Sequence, residues 1–533
     1  MSSFNRTFRE HGRREWSGRW RAKGLARAPV LICAAGLAAV AVLGALALSR
    51  RSAAPATAGL CAETKLLPSD GLAGDSFARD YAADVSGDVV VAGSGKHGHR
   101  KSGAAYIFRF DGTKWVEEAI LRPSSDPHDD HFGRLVAISG DVVVVGAHMD
   151  NDRGRDAGAV YVFRYDGIDW IEEAKLRASD GLRGDNFGCV VAIDGPVIAI
   201  AAMFTDEYGE NSGSGYIFRY DGTNWVEEAK LLDADGSAGA RFGRSAGIHG
   251  DVAVFGASRD TVDGIKSGAA CVFRFDGSKW NQEAKLAPAD AREMDWFGRH
   301  IDVHGERIIV GANHHTHDDL LESGGAYIFR YDGTKWVQEA ELLSSDLAQK
   351  DWFGRSVTIH EDMAVVGSHR TYVSGKHSGS VYIFRFDGTT WVEQLKLAPS
   401  DGAPWDFFGR MSSLTDDWLV VGANQDDDQG VDSGSAYVYP VSAAKDSCVL
   451  VEKGCEGDVN ADSSVDELDS GWVVRRIGCS VGSGDPTCDA ADANRDMRVD
   501  ALDLEFVLAR FDRPCDTTTV TPVFTGRRRS ATK

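Results

Sequence analysis

The sequence predicts a mainly β protein: a seven-bladed β-propeller, preceded by an apolar transmembrane or signal helix and followed by a small α-helical calcium-loop domain. Three observations carry this reading. A Phe-Gly pair recurs every 55 or 56 residues through most of the chain. A 22-residue stretch without charge, 28–49, lies behind a basic leader. Two Asp-rich twelve-residue loops of one pattern lie near the end, at 458–469 and 492–503.

The N-terminal element comes first. As a helix, 28–49 would extend roughly 33 Å, enough for a bilayer core. Eight basic residues precede it, from Arg6 to Arg27, and only Arg50 and Arg51 follow closely. The positive-inside rule then puts 1–27 in the cytoplasm and the body outside. Two readings stay open: a retained single-pass anchor, or a signal peptide cleaved near Ala56-Thr57-Ala58. The first gives a cell-surface protein and the second a secreted one.

Charge splits at the same point. Residues 1–51 carry ten Lys/Arg and two Asp/Glu, and the whole chain 58 and 80, leaving 48 against 78, or −30, for the remainder. An acidic body repels phosphate backbones, so no nucleic-acid partner is expected. Nine cysteines fit an oxidising compartment. Cys189 and Cys271 replace apolar residues inside repeats and are expected as buried thiols.

After a linker at 50–60, the repeats fill 61–441. The phenylalanines are Phe77, Phe132, Phe187, Phe242, Phe297, Phe353 and Phe408, the first followed by Ala78 instead of glycine. Each unit then holds apolar runs of four to six residues, rich in Val, Ile, Tyr and Phe and bounded by Gly, Asp or Ser. These are strand signals, and four strands per unit is the count of a propeller blade. Asp-Gly precedes the last strand at Asp111, Asp166, Asp221, Asp276, Asp332 and Asp387, a pair that tolerates positive φ in a tight hairpin. A Trp follows each (Trp115, Trp170, Trp225, Trp280, Trp336, Trp391) and is expected to cover the gap between blades. Six such outer strands follow seven Phe-Gly strands. The seventh is expected at the start, as AETKLL at 62–67, closing the ring and hiding its edges. Cys61 and Cys448 flank the closing segments, and a disulfide between them is one expectation.

The motif FG…VVVVGA…SGAAYIF resembles the FG-GAP repeats of integrin-α-type propellers. Many such propellers carry an Asp-rich calcium loop before the second strand. This chain has a short turn there, such as Ser139-Gly140-Asp141, so the resemblance does not carry that calcium across. Variation concentrates instead in the loops between strands two and three, which share a face with the blade-to-blade connectors. Examples are HMDNDRGRD, NHHTHDDLLE and NQDDDQGVD. Variable polar loops on a regular scaffold are where binding is expected. Within them His314, His315 and His317 are candidate transition-metal ligands, and Asp426, Asp428 and Asp432 candidate calcium ligands. Arg183-Gly184-Asp185 aligns with Ala73-Gly74-Asp75 and is read as repeat drift.

Beyond a linker at 442–455 the pattern changes. Both Asp-rich loops read Asp-x-Asn-x-Asp-x-x-Val-Asp-x-x-Asp. The first offers Asp458, Asn460, Asp462, Ser464, Asp466 and Asp469; the second Asp492, Asn494, Asp496, Arg498, Asp500 and Asp503. Ser464 and Arg498 stand at position seven, where the backbone carbonyl is the ligand. So many carboxylates repel one another without a cation, which predicts two calcium ions. Helical apolar stripes follow, including Leu504, Val507, Leu508 and Phe511. The paired loop-helix units resemble a type I dockerin domain over 456–513. That resemblance implies a cohesin-like protein partner, recognised through Glu467, Leu468, Ala501 and Leu502. The two copies differ at these positions, and Ser463 and Met497 stand where glycine is usual. Cys479 with Cys488, and Cys455 with Cys515, are expected to close the insertion and clasp the ends. The tail, 514–533, is Thr-rich, then basic, and is expected to be disordered.

Three functions remain open at this point. The chain is a surface or exported binding or adhesion protein with calcium-dependent docking, a component of an extracellular polysaccharide-degrading system, or a structural envelope protein. Partners are accordingly a protein, a surface glycan, or the membrane through 28–49. No catalytic constellation stands outside the repeat pattern.

Overall fold

The computed structural model describes residues 63–97, 102–124, 130–441, 464–465 and 513–514. Seven four-stranded antiparallel sheets form the blades. Six are continuous in sequence, at 83–121, 135–176, 190–231, 242–286, 300–342 and 356–397. The seventh combines 408–440 with the N-terminal strand Thr64–Leu66. Thr64 pairs with Val438, Lys65 with Tyr437 and Leu66 with Ala436, so the expected closure from the start of the chain is borne out.

Burial follows the strand order. Second strands such as Val142–Ala147 are buried at every residue, because sheets cover both faces. Outer strands such as Trp225–Leu231 alternate, with one face wet. The core lies between blades. Leu135, Val144 and Val160 of blade two, for example, pack with Phe187, Ile198 and Tyr216 of blade three.

The Phe-Gly pair is the joint itself. Phe132 forms a parallel bridge to Gly103 of the previous blade. Its ring packs edge-on against Tyr161 and Phe163 of its own blade, with centroids 5.4 and 6.0 Å away. The recurring order of the motif therefore encodes a seam between neighbours rather than a ligand site. The tryptophans close the outside of the same seam. The Trp225 indole donates to Glu173 of the preceding blade at 3.0 Å, and Trp280 repeats this to Glu228 at 2.8 Å. Trp418 stands in for the missing outer tryptophan at the closure, 4.9 Å from the Trp115 ring.

Among the described residues no helix is long and apolar enough to cross a membrane. The apolar stretch 28–49 and the helices expected in 456–513 lie outside the described residues. Within the latter segment Ser464–Val465 and Arg513 are described; Ser464–Val465 pairs antiparallel with Arg513–Pro514.

Candidate functional site

The inner strands surround an axial cavity of about 360 Å³. Connectors between blades and the loops joining strands two and three lie together at one end of it. Backbone bonds tie each variable loop to the connector that follows. Gly184 donates its N–H to Arg155 O at 3.0 Å, and Asn186 donates to Asp156 O at 3.0 Å. Gly239 to Glu210, Met294 to Lys266, Lys350 to Leu321 and Trp405 to Lys376 repeat the first of these. The loops that differ most in sequence are thus held on one common backbone frame.

That frame displays apolar side chains to solvent. Leu182, Tyr208, Met294, Leu321, Tyr372, Trp405 and Val431 are all exposed, and each belongs to a variable loop or connector. Tyr372 and Trp405 flank His377, whose ring lies 5.3 Å from the first and 4.7 Å from the second. Lys376 caps Trp405 with its ammonium 4.7 Å from the ring. Exposed aromatic rings beside donors can stack on a flat ligand and bond its edge.

Beneath the loops each blade holds a cation against carboxylates of a connector or of its own variable loop. In blade seven, Lys65 Nζ lies 2.7 Å from Asp401, 2.7 Å from Asp426 and 2.6 Å from Asp428. Tyr437 donates its hydroxyl to Asp401 at 2.8 Å and to Asp426 at 3.0 Å. Two of the three candidate calcium ligands, Asp426 and Asp428, thus already share an ammonium from the closing strand. Asp432 lies apart and accepts from the Gln425 side chain at 2.7 Å. Lys285 repeats the arrangement with Asp233, Asp235 and Asp260. Lys175, Lys230 and Lys396 take the same position in their outer strands.

Two blades lack that lysine, carrying Ile120 and Glu341 instead. In both, a histidine in the loop after the second strand takes over. His97 meets Asp75 at 2.7 Å and Asp70 at 3.2 Å. His315 meets Asp295 at 3.0 Å and Asp290 at 3.2 Å. Burial disfavours the charged form of His315, but Asp295, Asp290 and Glu341 outweigh it and raise its pKa. His315 and His317 also come within 4.8 Å of Glu341, counting one ligand atom from each. His314 points elsewhere and stacks on Trp296 at 3.7 Å. The three candidate histidines therefore divide into a metal-capable pair and an aromatic contact. The exchange of strand lysine for loop histidine is legible in the aligned repeats, but its meaning needs the fold, since the partners are some 25 residues apart.

The Lys65 cluster allows a direct test. Burial opposes the charged lysine, yet Asp401, Asp426 and Asp428 outweigh it and raise its pKa. Lys65 also holds Asp401 below the usual carboxylate range against the effect of burial. The contribution is therefore complete at neutral pH. It is lost above the ordinary lysine range, or below the ordinary aspartate range. Lys65→Met should cost about 2–4 kcal/mol in urea unfolding, less than a fully buried pair because Asp401 and Asp428 reach water. Millimolar calcium should restore part of that loss. A variant with unchanged stability would show that the carboxylates do not depend on Lys65.

The model for the FG-GAP repeat matches seven segments: residues 62–108, 115–163, 170–218, 225–273, 280–329, 336–384 and 391–439. The model for the dockerin type I domain matches residues 456–512. No curated protein matches the chain. Type I dockerin domains bind calcium and dock onto cohesin modules of partner proteins. The seven matches cover well over half of the chain, each spanning the outer strand of one blade and the first three strands of the next, and on that ground the chain belongs to the FG-GAP repeat family, with a type I dockerin domain at its C-terminal end.

Proposed function

We propose that this is a non-catalytic binding protein that works outside the cytoplasm, docked to a cohesin-bearing partner and presenting its loop face to a second ligand. The observation that carries the reading is the joining of a complete FG-GAP ring to a dockerin match that contains both Asp-rich loops. On this reading two calcium ions order the C-terminal domain. Asp458, Asn460, Asp462, Asp466 and Asp469 hold one, with the carbonyl of Ser464. Asp492, Asn494, Asp496, Asp500 and Asp503 hold the other, with the carbonyl of Arg498. Glu467, Leu468, Ala501 and Leu502 then face the cohesin. The leader exports the body, and 28–49 either anchors it or is removed.

A second reading, a docked component of a polysaccharide-degrading system, draws support from the exposed Tyr372 and Trp405. Rings at that exposure suit sugar faces. On this reading the propeller supplies glycan contact.

The test is capture from surface extract by the purified full chain, with calcium and with chelator. Capture with calcium only, lost when Asp458 and Asp492 both become Ala, is the expected result. A partner retained in chelator would place docking on the propeller and leave the C-terminal domain a structural role. Retention on a polysaccharide column, abolished by Trp405→Ala, would favour the second reading.

A further inference from the structure

The residue after each Phe-Gly opens the inner strand of its blade, outside the lining of the axial cavity, which Asp80, Tyr81 and His300 help to form. In six blades it is arginine: Arg79, Arg134, Arg244, Arg299, Arg355 and Arg410. Blade three has the buried Cys189 instead. In a body with a net charge of −30, six guanidiniums on one ring run against the composition.

Among the described residues one carboxylate bonds to them. Asp80 accepts from Arg355 Nη2 and, at 3.0 Å, from Arg410 Nε, and it lies 3.5 Å from Arg79 Nε. Burial opposes its charge, but the fields of Arg410, Arg355, Arg79 and Arg134 outweigh this and keep it ionised. Among the described residues, Arg134, Arg244 and Arg299 meet no carboxylate. Burial, then the fields of Arg355 and Arg244, disfavours the charge on Arg299. The positive charge of the ring is therefore under-compensated.

The ring also has a floor and unpaired donors. Tyr81 of blade one crosses the axis and stacks on His300 of blade five at 4.1 Å. Its hydroxyl donates to the Arg299 carbonyl at 2.9 Å. Above this floor Arg355 Nη1 and Arg299 Nε are buried without an acceptor, and Arg355 as a whole is only 2% exposed. Leaving buried guanidinium N–H groups unpaired is costly, because they have given up water without gaining an acceptor. Some arginines are also pre-set. Arg299 lies 4.6 Å from the Trp296 ring, and that tryptophan is held at a positive φ of 59°. Trp352 and Phe407 adopt φ of 59° and 57° at the same point in the next two blades. The residue at this point has a positive φ in all seven blades, Asn186 of blade three included, so the conformation belongs to the blade joint. A guanidinium fixed on an aromatic face loses little entropy when it binds.

We propose that this arginine cup binds a phosphate or sulfate group, whose tetrahedral oxygens can accept from several guanidiniums at once. The site lies on the axis, inside the circle of variable loops. It does not depend on what those loops or the dockerin domain bind.

The probes are inorganic phosphate and sulfate, titrated calorimetrically into the full chain at low ionic strength, with chloride as the control. Saturable binding of one or both is expected, and comparing the two separates phosphate from sulfate selectivity. Arg299→Gln and Arg244→Gln, neither bonded to Asp80, should each weaken it by about tenfold. Arg299→Lys should recover part of the loss. Asp80→Asn removes the competing carboxylate and should bind at least about threefold more tightly, with a melting temperature that rises as the anion is added. Absence of saturable binding, or binding that neither glutamine variant weakens, would overturn the proposal. So would a folded Asp80→Asn variant that binds no more tightly than the unaltered chain.

Discussion

Deletion of residues 63–67 is expected to destroy the cooperative fold of the propeller, although the segment contributes only one three-residue strand. The reason is position. Its removal leaves blade seven with three strands and exposes the edge of Ser435–Pro440, which otherwise pairs with it. Glu63 is lost from the Tyr439 hydroxyl, at 2.7 Å, and from the Ser400 hydroxyl, at 2.7 Å. Both contacts tie the closing strand to the end of the ring or to the connector before blade seven. Lys65 is lost from three carboxylates, one of which, Asp426, is buried. Losing the lysine alone costs about 2–4 kcal/mol, before any loss of strand pairing. That is already a large part of the stability of a typical domain. The exposed edge should also drive association. Equilibrium urea unfolding and size-exclusion chromatography are the measurements. The expected outcome is a midpoint shifted far down, with soluble oligomers. A monomer with an unshifted midpoint would mean that the ring holds without its closing strand.

The second large effect concerns a single methyl group at a joint. Gly213 has φ +91°, and a Cβ there would lie 2.0 Å from the carbonyl oxygen of Phe242. That oxygen belongs to the next blade, so relief requires two blades to part. Gly222, in a nearby Asp-Gly turn, has φ +97° with nothing within 4 Å of a Cβ. Both glycines incur the left-handed penalty on substitution, about 1–2 kcal/mol. Only Gly213 adds the collision. Gly213→Ala should therefore cost at least about 3 kcal/mol, against about 1 kcal/mol for Gly222→Ala, in paired denaturant titrations. Equal losses would show that φ alone makes these glycines necessary.

The two glycines mark a limit of reading a repeat. Each recurs with its unit, and recurrence by itself predicts structure. It does not separate a hairpin that needs positive φ from a seam that needs an absent Cβ. Ala78 illustrates the difference. It replaces glycine in the first Phe-Gly pair and still adopts φ +54°, so that position tolerates a methyl group at the closing joint.

Much of the architecture was written in the linear sequence. Spacing, period-two strands and turn pairs determined a ring of seven four-stranded blades. The missing outer strand determined where it closes. Those features depend on local propensity and on counting, which survive without coordinates. The two Asp-rich loops likewise revealed themselves by ligand spacing, because a calcium loop is built from one contiguous segment.

Tertiary structure decided what the charged residues do. Asp426 and Asp428 look like ligands in sequence, yet they enclose Lys65, more than 350 residues earlier in the chain. His97 and His315 look like loop variation, yet they replace a strand lysine within their own blades. The arginine after Phe-Gly looks like a solvated polar residue. Seven-fold winding brings six copies to one axis, where their fields add and, among the described residues, a single aspartate answers them. Coulomb interactions depend on distance through space, and in a closed ring the residues nearest in space are those farthest apart, or equally spaced, along the chain.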